Sequence, residues 1–227
     1  MVDSQSADVD LEKLYAEIGK ITITFGAIDT GYVLLFASVL SPCLPDTFES
    51  SYAAPILFLA KSREQRQALI KATFKTRFAW MLDQPRHTNA RRAVDYLETA
   101  INKAFAEVDR VTWVRNLAAH GSVYKGPNGV AITPVAFDEA AASNLTAKGY
   151  PNGMNAKDLS DKVAPAHVVK GIIWELARCT NQLIHWQPMP SAFLQIMNET
   201  ARDLGMKPLR LADPNDGPPR RGRRGNG

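Results

Sequence analysis

The chain has 227 residues, 45% of them hydrophobic and 22% charged, which suits one globular domain with a sizeable core and excludes a wholly disordered chain. Its formal net charge of +4 is localised, because Arg220, Arg221, Arg223 and Arg224 lie at the very end and leave residues 1–219 formally neutral. The folded part therefore lacks the net positive charge behind a broad nucleic-acid-binding face.

Cys43 and Cys179 are far apart and show no CxxC or Cys/His clustering, so neither a disulfide framework nor a zinc site is expected. Met1–Asp10 is acidic and polar, without the basic and apolar blocks of a signal peptide. The strongly apolar stretch Gly31–Leu40 is too short to cross a bilayer. A cytoplasmic protein without a membrane partner is the expectation.

From Leu11 the apolar positions run Leu14, Ile18, Ile21, Phe25, Ile28, Tyr32, Leu35 and Val39, alternating steps of three and four. This predicts a long amphipathic helix ended by Pro42 and Pro45, with a seam regular enough to pair with a second copy. Pro55–Ala60 reads as a separate turn or as the start of the next helix. That second helix begins at the capping box Ser62-Arg63-Glu64-Gln65 and runs to about Leu82. Arg63, Glu64, Arg66 and Lys71 read as its exposed charged face. After Pro85 a third helix carries Val94, Leu97, Ile101, Ala104, Val108 and Val111, and extending that register gives Arg115 and Ala118. Gly121 reads as its C′ residue.

The pattern then changes. Val123–Lys125 and Val130–Ile132 flank Gly126-Pro127-Asn128-Gly129, a β-hairpin signal with Asn-Gly at the turn. Residues 138–158 read as a loop with a short helical turn, placed to cover a surface groove. A fourth helix is expected from Pro165, in its first turn, to Trp186, followed by a short helix Ser191–Leu204 stopped by Gly205. The fold class is thus all-α, a bundle of four main helices with an inserted hairpin at about 122–135. One domain spans 11–205. The extension 206–227 is expected to be disordered from about residue 213, its Arg/Gly/Pro end reading as a solubilising tail.

His87 falls in a turn, and His167 and His185 read as peripheral helix residues with no carboxylate or cysteine at ligand spacing, so no metal or cofactor is expected. Trp113, Tyr124, Trp174 and Trp186 read as core or interface anchors. The chemically suggestive segment is Arg115-Asn116-Leu117-Ala118-Ala119-His120-Gly121. Arg115 falls where the seam calls for an aliphatic residue, and a guanidinium there needs a partner or an anion. His120 sits in the last turn, at the helix's negative end. A histidine for acid/base work, an arginine for transition-state charge and an amide to orient an oxygen together meet the needs of phosphodiester cleavage by an internal 2′-hydroxyl. Five helical residues separate side chains by roughly 140°, so convergence of Arg115 and His120 needs an unwound last turn or a second copy of the segment. The plainer alternative has Arg115 and Asn116 clamping the helix end by donating to loop carbonyls near the hairpin.

This string, with its arginine, polar neighbour, histidine and glycine at a helix end before a hairpin, resembles the R-x4-6-H motif of HEPN domains. The resemblance covers roughly Leu11–Trp186. It implies an all-α homodimer acting as a metal-independent endoribonuclease of toxin, phage-defence or RNA-processing type, with the two motifs meeting along the dimer interface. It also implies that Arg115 and His120 are catalytic, that Asn116 assists, that RNA is the substrate, and that a cognate antitoxin or regulator exists. Some HEPN-like proteins bind a nucleotide or a protein partner without cleavage, which keeps a non-catalytic binding module as the alternative.

Overall fold

The computed structural model describes residues 4–40, 50–86, 88–126, 129–135, 138–184 and 191–211. Eight helices and one hairpin follow in the order α1 (Ser4–Leu40), α2 (Ser50–Leu59), α3 (Arg63–Arg77), α4 (Ala79–Leu82), α5 (Asn89–His120), β1 (Ser122–Gly126), β2 (Gly129–Thr133), α6 (Glu139–Ala147), α7 (Ala156–Ile184) and α8 (Ser191–Asp203). The architecture is the all-α bundle that periodicity predicts. The expected disordered tail and the residues Cys43, His87, His185 and Trp186 lie outside the described residues.

The α1 seam is filled from within the chain: Leu14, Ile21, Phe25, Ile28, Tyr32, Leu35 and Val39 are all buried. A pairing surface for a second copy along this seam is therefore not available. By length and composition Asp8–Leu40 is apolar enough to cross a membrane, but 61% of its most apolar window is buried inside the fold. The expectation drawn from Gly31–Leu40 alone underestimated this helix.

Its main partner is α7, met over successive turns. Thr24 Oγ1 lies 3.1 Å from His167 Nδ1, and Trp174 Nε1 donates to the Ala27 carbonyl at 3.3 Å. A Cβ added to Gly31 would lie 2.9 Å from Ile173 Cγ2. These contacts ascend both helices together, so α1 and α7 run parallel. Phe25, Asp29 and Tyr32 likewise meet Arg63, Arg66 and Gln67 of α3 in ascending order. By contrast Thr112 meets Arg63 while Glu98 meets Lys75, so α5 runs opposite to α3. The C-terminal end of α5 thus lies at the end of the bundle where α3 begins.

Local signals set the helix boundaries. The Ser62–Gln65 capping box is formed, with Gln65 N–H donating to Ser62 Oγ at 3.2 Å and Ser62 N–H donating to Gln65 Oε1 at 3.1 Å. The helix it starts does not run unbroken to Leu82, because Phe78 leaves helical geometry between α3 and α4. Pro55–Ala60 belongs mostly to the separate helix α2. α7 starts nine residues before Pro165: Asn155 and Asp158 cap each other reciprocally, Asp158 N–H to Asn155 Oδ1 at 2.9 Å and Asn155 N–H to Asp158 Oδ2 at 3.1 Å. Pro165 is tolerated inside the helix, where Val163, Ala166 and Val169 are buried on either side of it. Within 138–158, expected as loop with a short helical turn, residues 139–147 form the longer helix α6, started by Asp138, whose carboxylate accepts from Ala141 N–H at 2.9 Å.

β1 and β2 pair antiparallel from Ser122↔Thr133 to Gly126↔Gly129, leaving residues 127 and 128 between the strands and outside the described residues. Gly129 takes φ +102°. Ile132 forms a two-bond bridge to Met154, which ties the hairpin to the start of α7.

Two groups buried in the helical core are driven toward their neutral forms. Burial, with the Glu175 carboxylate adding to it, pushes the Cys179 thiol up to about 12. Burial also raises the Tyr32 phenol, an effect that the hydrogen bond from Gln67 partly opposes.

Two measurements test this packing. Gly31→Ala should cost about 1–3 kcal/mol in urea denaturation, because Ile173 is β-branched and buried. Gly26→Ala, one helical turn and a half earlier with nothing within 4 Å of the added Cβ, should gain about 0.5–1 kcal/mol; equal effects would contradict the close approach. The unfolded thiol releases its proton near pH ~8.5, whereas folded Cys179 holds its proton until about 12. Its contribution to stability is therefore complete below the unfolded value and is lost as pH rises through that window. The urea midpoint should fall between pH 8 and pH 10.5, and Cys179→Ala should shallow that fall; an unchanged slope would count against it.

Candidate functional site

α5 stays helical through His120, closed by the Gly121 N–H donating to the Leu117 carbonyl at 2.7 Å. The last turn is not unwound. The buried positions of its final stretch are Val108, Val111, Val114 and Leu117. Steps of three each move back by roughly 60°, so the buried stripe swings roughly 180° around the helix over these residues. This corrects the extended register: Val114 and Leu117 take the core positions, and Arg115 is only half-buried on a flank. The cause is tertiary, since α5 outruns the start of α3 and its end is met there by β2 and faced by α6 across a groove.

Gly121 is not a left-handed C′ residue, its φ being −76° with ψ 161°. Crowding explains it better. A Cβ there would lie 2.5 Å from the Leu117 carbonyl oxygen, 2.7 Å from Ile132 Cγ1 and 2.8 Å from the Thr133 carbonyl oxygen. The glycine lets β2 press against the end of α5.

Around this end lies an open groove of about 450 Å³. One wall is the α5 end with Trp113, Asn116, Leu117 and His120; the other is Pro134, Val135 and the α6 residues Ala141, Asn144 and Leu145. The segment expected to cover a groove does line one. Asn116 and His120, four residues apart, share the wall, and both are exposed. Arg115 does not line it. Its Nη1 donates to Asn116 Oδ1 at 3.3 Å, which links it to the groove through the amide. Among the described residues the side-chain hydrogen bond of Arg115 and Asn116 is the one they make with each other, and loop residues 127, 128, 136 and 137 beside the hairpin, where the clamp is expected, lie outside the described residues.

Lys148 Nζ sits 5.1 Å from the centre of the Trp113 ring at the groove edge. Trp113 in turn lies 6.5 Å from Tyr150, over which Lys162 is placed at 5.8 Å. Trp113 is thus half-buried as an anchor, while Trp174 and Tyr124 are more than two-fifths exposed. His167 is peripheral, as expected, apart from its contact with Thr24. Among the described residues no group of three His, Cys, Asp or Glu side chains is placed to hold a metal ion.

The second-helix charges differ from the sequence reading. Of the four named residues Glu64 alone is exposed; Arg63, Arg66 and Lys71 are half-buried, each over a ring, at 5.2 Å from Phe25, 4.5 Å from Phe58 and 5.4 Å from Phe105. Arg63 also donates to Thr112 Oγ1 of α5. The sequence signal for this was weak, because α3 alone shows no reason for a cation to turn inward.

No protein-family model, curated protein or solved structure matches this chain.

The crowding at Gly121 has a direct consequence. Gly121→Ala should lower stability by about 1–3 kcal/mol in urea denaturation, because two of the three close atoms are backbone oxygens. A variant as stable as the parent would show that the hairpin does not press on α5.

Proposed function

We propose that the chain is a homodimeric, metal-independent endoribonuclease of HEPN type that acts in the cytoplasm on single-stranded RNA. The observation that carries this reading is the groove at the end of α5, where Asn116 and His120 face the same space and Arg115 is hydrogen-bonded to that Asn116. A neutral body suits a short contact with RNA better than a long one.

In the proposed reaction His120 takes the proton from a ribose 2′-hydroxyl, whose oxygen attacks the adjacent phosphorus. The bond from phosphorus to the 5′-oxygen breaks, a second acid returns a proton to that oxygen, and a 2′,3′-cyclic phosphate remains. Arg115 neutralises the extra negative charge on the phosphoryl oxygens, and Asn116 orients one of them. With α5 regular to its end, Arg115 and His120 of one chain stand roughly 140° apart. The second acid and the full charge clamp are accordingly assigned to the motif of a second copy.

A second reading uses the same groove without chemistry, as a nucleotide- or protein-binding module. The apolar walls at Leu117, Val135 and Leu145 favour it.

Mixed RNA incubated with the pure full-length chain in EDTA should yield products ending in 2′,3′-cyclic phosphate. Arg115→Ala and His120→Ala should each slow this by about 10²-fold or more, and Asn116→Ala by less. Cleavage that persists unchanged in both alanine variants, or that never occurs while a nucleotide protects the end of α5, would exclude the nuclease reading. Sedimentation of an active monomer would remove the second copy from the scheme.

A further inference from the structure

A second arginine reaches the same end of α5 from the first turn of α3. Arg63 donates through Nη1 to Thr112 Oγ1. Thr112 lies three residues before Arg115 and four before Asn116, so the three positions neighbour one another on one side of α5, within about one turn of 5.4 Å. Beyond Thr112 this side of the helix is open, with Asn116 and Ala119 exposed.

Neither arginine has a carboxylate within ion-pair distance among the described residues. The nearest acidic groups make their direct contacts with other residues, although the exposed Glu64 carboxyl beside Arg63 is lowered, after its own backbone hydrogen bond, in part by that arginine's charge. Asp29 pairs with Arg66 at 3.4 Å, and Asp109 accepts from Gln67 Nε2 at 3.0 Å. Arg63 Nε is buried and has no hydrogen-bond partner among the described residues. Its guanidinium has therefore given up part of its hydration for one neutral hydroxyl and the face of Phe25. A cation in that condition is stabilised by an anion. Arg63 is held at Thr112, one turn of α5 before Arg115, and a pair of guanidiniums suits phosphate, whose oxygens match the planar fork of arginine better than a point charge.

We propose that Arg63 and Arg115 form a phosphate-binding pair on the open side of α5. It takes a backbone phosphodiester of single-stranded RNA next to the scissile one. Thr112 is a positioning residue that holds Arg63 toward α5. The identity of the ligand as RNA rests on the ribonuclease reading; the anion site does not. A local pair also reconciles RNA binding with a body of zero formal charge, since it needs no broad basic surface.

The test uses the full-length chain and a single-stranded 2′-O-methyl oligonucleotide, which cannot be cut through its 2′-oxygen, with binding followed by fluorescence anisotropy over a salt series. Arg63→Ala should weaken binding about tenfold at low salt and reduce the log–log salt slope by about 0.7, the loss of one phosphate contact. Arg63→Lys should recover much of the slope, and Thr112→Val should weaken binding while keeping it. On cleavable RNA, Arg63→Ala should raise KM and leave kcat within about threefold, since uniform binding is what it removes.

The pair is overturned if Arg63→Gln and Thr112→Val, both with parental urea midpoints, bind with unchanged affinity and slope, or if the oligonucleotide does not bind at about 50 mM salt. Arg63-dependent binding with no RNA ever cut would leave the anion site standing and remove the nuclease reading. Cleavage that needs Arg115 and His120 but is indifferent to Arg63 would do the reverse.

Discussion

The close approach of α1 to α7 at Gly31 is the constraint on which the rest of the molecule depends. A 37-residue helix buries its seam only if a partner lies along most of its length. α7 does so because Gly31 presents no side chain where Ile173 and Trp174 arrive. Trp174 also donates to the Ala27 carbonyl, so the packing of one turn fixes the register of the next. With the parallel pair set, α3 and α5 have one remaining trough to fill, and Tyr32 meets Phe105 edge-on there at 5.0 Å between ring centres.

That arrangement decides where the candidate residues stand. Because α5 runs against α3, its C-terminal turn emerges beside the beginning of α3. The hairpin, bridged to Met154, and α6 then face an adjoining side of the same turn across the groove. One helix end therefore has two adjoining faces: a groove that His120 lines, and an open side with Thr112, Arg115 and the incoming Arg63. Asn116 lies between them and is hydrogen-bonded to Arg115. The candidate site depends on the fold through the length by which α5 outruns α3.

The buried polar contacts between α1, α3 and α5 act as a register key. Gln67 is buried, and its amide donates both to the Tyr32 hydroxyl and to Asp109, each at 3.0 Å. A slip of α3 by one residue would strand these groups without partners, at a cost of about 1–3 kcal/mol for each group left unsatisfied. The same register delivers Arg63 to Thr112. A residue that reads as solvated surface in α3 alone thus becomes part of the environment of the motif.

Local signals were enough to determine several elements by themselves. The α1 seam, the Ser62–Gln65 capping box, the hairpin and the length of α5 are all legible, because each depends on neighbours within one or two turns. What the sequence misread depends on distant partners. The seam could not be extended to Arg115, because the elements covering α5 change beyond Val111 and the buried stripe rotates to Val114 and Leu117. Gly121 looked like a conformational glycine and is a steric one, since Ile132 and Thr133 arrive from β2. α7 starts at Ala156 rather than at Pro165, because the Asn155–Asp158 cap outweighs the local preference of proline for a first turn. The inward turn of Arg63 exists only once α1 and α5 bracket α3, and no pattern within α3 itself encodes it.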